Sequence, residues 1–239
     1  MKILLVSGHK PGYNASALTG VNEGDLNVEL VKLLKPRLSK YADVDAYPYD
    51  RDMYEDNKAG NLRVNLKNYN YVFEVHFNGF NNVAHGTGIY IDQKYKGGIS
   101  VEQAVLRNIV ALGFTNRGIT RRNDLLNMRT CFNLNVDYAL LETCFFDNVE
   151  DMALYKQKKT HVADAITKGI ADAFGLTAKE EAPKAEAPKE EAPKAETPKE
   201  ETETIYRVQV GAYSVKANAE AMLAKLEKAG FSGFIVASR

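Results

Sequence analysis

Tyr71-Val-Phe-Glu-Val-His-Phe77 decides the fold. The stretch is rich in β-branched and aromatic side chains, with Glu74 and His76 set among them, and it reads as a strand. Similar runs lie on both sides of it. Residues 3–7 form a short apolar run closed by Gly8-His9, and residues 44–49, 88–91 and 138–146 are further strand candidates. Between these runs the apolar period lengthens to that of a helix. Leu26, Leu30, Leu33, Leu34 and Leu38 mark one helical face, and Pro36 is expected to kink or end that helix near its last turn. Asn22 and Asp25 resemble a capping pair at its start. Val101, Ala104, Val105 and Ile109 mark a second helix over residues 100–112. Val162, Ala165, Ile166, Ile170 and Phe174 mark a third over 151–174, in one piece or two. Strands alternating with helices predict an α/β fold, a mostly parallel or mixed sheet flanked by helices.

This pattern ends at Thr177. Residues 178–204 repeat Glu-Ala-Pro-Lys units, with Pro183, Pro188, Pro193 and Pro198 evenly spaced. Five lysines, nine glutamates and no large apolar residue cannot build a core, so the segment reads as an extended tether. Residues 205–239 resume ordinary patterning. Residues 206–211 alternate like a strand, 217–229 form an amphipathic helix through Ala219, Met222, Leu223 and Leu226, and 231–236 form a second strand. Three segments follow: a folded part over 1–177, a linker over 178–204 and a small module over 205–239.

The formal net charge is zero, which gives no whole-chain argument for nucleic acid, and none is expected as a partner. No run of eighteen apolar residues exists, so stable membrane insertion is not expected. The apolar run at 3–6 is too short for a signal peptide, which places synthesis in the cytoplasm. Two cysteines, Cys131 and Cys144, do not make a disulfide scaffold.

Four histidines carry most of the possible chemistry. His9 follows the first strand and His76 lies near the end of another, and ligand sites of α/β sheets gather at the carboxyl ends of strands. Two histidines there can share one ion. Glu23, at the first turn of a helix, is a third candidate ligand and would leave a fourth position open for water. Glu142 stands inside an apolar run, where burial raises a carboxyl pKa toward that of a general base. Each has a plainer reading: hydrogen-bonded structural histidines, an exposed first-turn glutamate, a glutamate paired with lysine or arginine. The ligands are scattered along the chain, and spacing does not choose between these readings. His85 reads first as a surface histidine, with a place lining a cleft as the alternative, and His161 falls in the last helix with no role assigned.

The order of segments is more specific. Val6-Ser-Gly-His9, Gly20-Val-Asn-Glu23, Glu74-Val-His76-Phe-Asn78-Gly79, Gly86-Thr-Gly-Ile-Tyr90 and the stretch from Leu141-Glu142 to Asn148-Val-Glu-Asp151 occur in that order. Together they resemble the zinc N-acetylmuramoyl-L-alanine amidases of bacteria and phage endolysins, over roughly residues 1–175. The resemblance implies zinc held by His9, Glu23 and His76, with Glu142 as catalytic base. It implies peptidoglycan as substrate, cut between N-acetylmuramic acid and L-alanine. Three positions depart from the family pattern. Val6 stands where an acidic partner of the first histidine is common, and Glu74 and Gly79 stand where serine and alanine are common. The tail, through Tyr206-Arg-Val-Gln-Val-Gly-Ala-Tyr, Ala217-Asn-Ala-Glu-Ala and Gly230-Phe-Ser-Gly-Phe, resembles half of a SPOR domain, a wall-binding module.

The resulting expectation is a phage endolysin or autolysin with Zn2+ as cofactor, reaching the wall through holin-type release or host lysis. A half module invites pairing of two chains through residues 205–239. Rival readings are a cysteine hydrolase using Cys131 or Cys144, a zinc carboxypeptidase trimming the peptide stem, and a non-catalytic wall-binding protein.

Overall fold

The computed structural model describes residues 1–179, 216, 218–220, 222 and 223. The chain divides into two compact units, Met1–Lys184 and Ala185–Arg239. The first holds six strands in one mixed sheet. They are β1 (Lys2–Ser7), β2 (Asp43–Ala46), β3 (Tyr71–Asn78), β4 (Thr87–Asp92), β5 (Asn116–Arg122) and β6 (Asp137–Phe145), in the order β2-β1-β3-β6-β4-β5. β2, β1, β3 and β6 run parallel, while β4 is antiparallel to β6 and parallel to β5.

The alternation within each strand sends side chains to two separate cores. Ile3, Leu5, Phe73, Val75 and Leu141 face α1 (Glu23–Leu38), α3 (Ser100–Val110) and α5 (Val149–Ala173). There they meet Leu30, Leu34, Val105, Ile109, Ile166 and Ile170. Leu4, Val6, Val72, Tyr138 and Leu140 point the other way. They pack on Met53 of α2 (Met53–Lys58), Leu66 of a 3-10 turn (Leu66–Asn68), and Met128 and Cys131 of α4 (Leu126–Asn133). Covering on both faces explains why β1 and β3 read as nearly continuous apolar runs.

The predicted strands and helices fall within a few residues of these bounds, and α5 is one unbroken helix. Pro36 sits in the last turn of α1, as expected. The strand read over 44–49 is shorter, because Pro48 has no N–H to extend the ladder. The capping pair is corrected. Asn22 occupies the N-cap of α1 without a side-chain capping bond. Its amide instead donates to Asp25 at 2.8 Å, and Asp25 accepts from the backbone N–H of Gly12 at 3.0 Å. The pair thus ties the loop before the helix to the helix.

In the tail the described residues are helical and lie in or beside the predicted helix over 217–229. The tether from residue 180 onward and the two tail strands lie outside the described residues. No described helix is long and apolar enough to cross a membrane.

Candidate metal centre

β1, β3 and β6 are neighbours and parallel, so their carboxyl ends share one edge of the sheet. His9 lies two residues past β1, and Gly8 N–H extends the ladder by donating to the Val75 carbonyl at 2.9 Å. His76 is near the end of β3. Glu23 opens α1 and is delivered by the loop before it. That loop closes on itself through an Ala15–Asn22 bridge, and Glu23 N–H donates to the Asn14 carbonyl at 3.0 Å. Asn14 adopts a positive φ of 56°, a conformation asparagine tolerates, and its side-chain amide holds Glu23 Oε2 at 2.7 Å.

Two glycines make room for the centre. A Cβ on Gly8 would lie 2.0 Å from Nε2 of His76, and one on Gly24 would lie 2.0 Å from the Lys10 carbonyl. The imidazole of His76 therefore crosses directly over the chain that carries His9.

The three expected ligands come together. His76 Nδ1 is 2.9 Å from Glu23 Oε1, His9 Nε2 is 3.7 Å from the same oxygen, and one donor atom from each residue lies within 4.8 Å of the others. The outer ring nitrogens each meet another carboxylate. His9 Nδ1 is 3.1 Å from Asp52 Oδ2, and His76 Nε2 is 3.0 Å from Glu74 Oε1. A carboxylate accepts only, so the outer nitrogens donate to Asp52 and Glu74, and a cation that takes the place of the proton between His76 Nδ1 and Glu23 meets the inner nitrogen of each ring. Two imidazoles and one carboxylate, with their outer nitrogens tied back, are a donor set that fits zinc with a position left open.

The electrostatics agree. Burial alone pushes His76 down, but its bonds to Glu23 and Glu74 outweigh that and hold its pKa well above the ordinary 6.5. Burial raises Glu23, yet the two histidines and Asn14 bring it below the usual carboxylate value. Asp52 is likewise lowered, burial being outweighed by His9 and the N–H groups of Glu55 and Tyr54. A site that holds a proton on the His76 ring between two carboxylates is one that a cation can occupy instead.

Glu142 stands beside His76 in the β3–β6 register. Its Oε2 is buried without a hydrogen-bond partner, and burial pushes its pKa up to about 7. It opens on a cleft of about 80 Å³ shared with Asn78, Tyr90, Arg117 and Thr120. The pairing with lysine or arginine that the sequence allowed is not made among the described residues. A wider groove of about 630 Å³ adjoins through Asn14 and Gly79, bordered by Ser16, Phe80 and Asp147. Tyr13 stacks on the His9 ring at 4.2 Å between centroids.

Several contributors escaped the sequence reading. Asp52 takes the place beside His9 that Val6 leaves vacant, arriving from α2. Asp147 accepts from the N–H groups of Phe80 and Asn82 at 2.9 and 3.0 Å and shapes the loop after β3. Asp151 accepts from Gly86 and Phe145 N–H, both at 2.8 Å. The acidic run after Glu142 thus holds loops. Glu74 was singled out from the sequence as a departure from the family pattern, but without a role at the site. Cys131 and Cys144 are fully buried, and burial raises both thiols above the ordinary value. That removes the basis for a cysteine nucleophile. His85 and His161 are exposed and lie outside the cluster.

A family model described as N-acetylmuramoyl-L-alanine amidase matches residues 3–172. The chain belongs to that family. A second model, the SPOR domain, matches residues 187–238, beginning within the Glu-Ala-Pro-Lys repeats. "Probable autolysin PH" of Staphylococcus aureus is 28% identical over 246 aligned positions, covering 90% of this chain and 48% of that protein. The chain thus spans about half the length of that relative. An endolysin of Bacillus phage SPP1 is 24% identical, over 76% of this chain and 70% of the endolysin. Among solved structures, an N-acetylmuramoyl-L-alanine amidase from Clostridium difficile 630 superposes with a TM-score of 0.62 at 21% identity, covering 73% of this chain and 96% of that one. The catalytic domain of the CD27L endolysin gives 0.58 at 24% identity, covering 72% and 97%. At these identities the structures speak for the amidase fold alone.

Proposed function

We propose that this amidase-family chain is a zinc hydrolase that cuts peptidoglycan between N-acetylmuramic acid and L-alanine. His9, Glu23 and His76 hold the ion, and Glu142 is the base. One observation carries the reading: the three donor atoms converge within 4.8 Å of one another, next in register to a buried carboxylate with a pKa near 7. When bound, zinc supplies Lewis acidity toward the lactyl carbonyl and makes water a nucleophile near neutral pH. Glu142 takes the proton of the attacking water and returns it to the leaving amine of L-alanine. Asn14 fixes Glu23, and the groove beside it offers space for the glycan side of the substrate.

The SPOR-matching tail is proposed to hold the protein on the wall. Its net charge of +3 over residues 205–239 (Arg207, Lys216, Lys225, Lys228 and Arg239 against Glu220 and Glu227) suits an anionic surface. Pairing of two tails is a further element of the proposal. Sedimentation of the intact chain at high micromolar concentration checks it, and a monomer there rejects it.

Mass spectrometry of digested wall tests the central claim. Release of stems bearing a free L-alanine amine, abolished by chelation and restored by zinc, is the expected result. Release of a terminal amino acid instead would mark a carboxypeptidase. Zinc-loaded protein that binds wall and releases nothing would mark a binding protein.

A further inference from the structure

Glu74 is buried in the sheet at 3% exposure, yet both its oxygens are engaged. Oε2 accepts from the Tyr138 hydroxyl at 2.7 Å and from the Asn127 amide at 3.1 Å. Oε1 lies 3.0 Å from His76 Nε2 and 3.3 Å from the Asn127 amide. The partners come from three elements: His76 from β3, Asn127 from α4 and Tyr138 from β6. Among the described residues the imidazole of His76 is the one ionisable group that bridges to it as a cation would.

A carboxylate taken out of water costs several kcal/mol unless an opposite charge compensates it. Tyr138 and Asn127 supply dipoles and no charge. The remaining partner is the His76 ring, whose other nitrogen faces Glu23. The network also has a direction. Tyr138 and Asn127 can donate to Glu74 but their bonding hydrogens cannot serve His76. Glu74 is therefore held as an acceptor, and the ring nitrogen facing it must be N–H.

We propose that Glu74 is a positioning residue for the metal centre: clamped by Tyr138 and Asn127, it fixes His76 with the proton on Nε2 and the lone pair of Nδ1 aimed at the ion. The inference rests on the zinc reading above and assigns Glu74 no contact with substrate. The carboxyl group behind His76, clamped as an acceptor, orients the ring as a donor to the ion. Asp52 stands in the same relation to His9, at 3.1 Å, so the two imidazoles are backed alike.

The test uses the full-length chain loaded with zinc. Long-range proton–nitrogen NMR of the histidine rings should find the His76 proton on Nε2 and the metal on Nδ1. The opposite assignment overturns the proposal without any variant. Zinc affinity, read by competition with a chelating dye, should fall ~10–100-fold in Glu74→Gln, the range usual for outer-shell partners. Glu74→Asp should recover part of the loss if its shorter arm still reaches Nε2. Circular dichroism of the metal-free variants controls for folding. A folded Glu74→Gln with wild-type affinity also overturns the proposal. If the wild-type chain itself takes up no zinc, it is the zinc reading that fails, so the two failures are distinguishable.

Discussion

A methyl group at Gly8 would sit 2.0 Å from Nε2 and 2.2 Å from Cε1 of His76, so this position tolerates hydrogen alone unless the ring moves. Gly8→Ala is expected to swing His76 off Glu23, cost ~1–3 kcal/mol by overpacking and weaken zinc binding at least tenfold. Urea unfolding and zinc titration check it, and an unchanged affinity would mean that His76 is not held by this contact. Glu142 yields a prediction with a definite sign. Its pKa is raised from an ordinary 4.5 to about 7, so the folded state binds this proton more tightly than the unfolded chain. Its contribution to stability is complete below pH ~4.5 and is lost as pH rises through about 7. In chelated protein, Glu142→Gln should therefore add up to about 3 kcal/mol at pH 8 and almost nothing at pH 4, measured by denaturant unfolding. The same variant, loaded with zinc, should lose ~10²–10⁴-fold in turnover while keeping the ion. Equal stability gains at both pH values would show that Glu142 is not a desolvated acid. At this scale the candidates His9, Glu23, His76 and Glu142 could be named because their segments resemble the family's in order, and the first three do converge. Asp52 could not be named, since its reach to His9 depends on the path of a loop, and no local pattern encodes that.

At the scale of elements, the apolar strands and the long helices were readable because burial on one stripe or both faces imposes a period. The elements that escaped are those with little buried surface. α2 buries Met53 and Asp56 in a polar hexamer, β5 is an edge strand with mostly exposed arginines, and α4 offers Met128 and Cys131 among polar residues. β5 also contains Gly118 at a φ of +83°, which breaks any strand-like pattern. Yet α2 does two jobs. Its N-cap Asp52 accepts from the N–H groups of Tyr54 and Glu55 through Oδ1 and meets His9 through Oδ2. The two roles can be separated. Asp52→Ser keeps a capping oxygen and should leave stability within ~0.5 kcal/mol, whereas Asp52→Ala should lose ~1 kcal/mol. Both should weaken zinc binding, because serine is too short to back His9 as well. Thermal unfolding beside zinc competition resolves this, and a serine variant with native affinity would reduce Asp52 to a cap. α2 is anchored in turn by Asp56, which accepts from Tyr47 and Arg51 at 2.7 Å each and stays about 2 in pKa, chiefly through Arg51.

The whole molecule divides more sharply than its elements do. The α/β class and the edge of the sheet that carries the site followed from alternating periods, but the antiparallel placement of β4 between β6 and β5 did not, because strand order is set by long-range packing. The composition change after Thr177 marked a boundary, and the first unit runs slightly past it. Lys179 N–H donates to the Lys40 carbonyl at 2.7 Å, and the unit is bounded at Lys184. The fragment 1–184 is therefore the right one to isolate. It retains both cores, every described strand, the cluster of His9, Glu23 and His76, and Glu142, proposed as the base. The segment it removes is a charged, proline-punctuated repeat followed by the SPOR-matching tail. Few stabilising interactions are expected to cross such a linker. The fragment should unfold cooperatively, with Tm within ~2–4 °C of the catalytic transition in the full chain. It should bind one zinc and cleave soluble muropeptides at the full-length rate. On intact wall the comparison changes. A tail that stays bound raises the local concentration of the catalytic unit near the next bond, so its removal should lower turnover on insoluble wall and leave soluble turnover unaffected. The ratio of the two activities in fragment and full chain isolates this effect from any damage to the site. An unchanged ratio would mean that the tail does not tether the enzyme to its substrate, and a fragment that fails to fold would mean that the tail belongs to the catalytic unit.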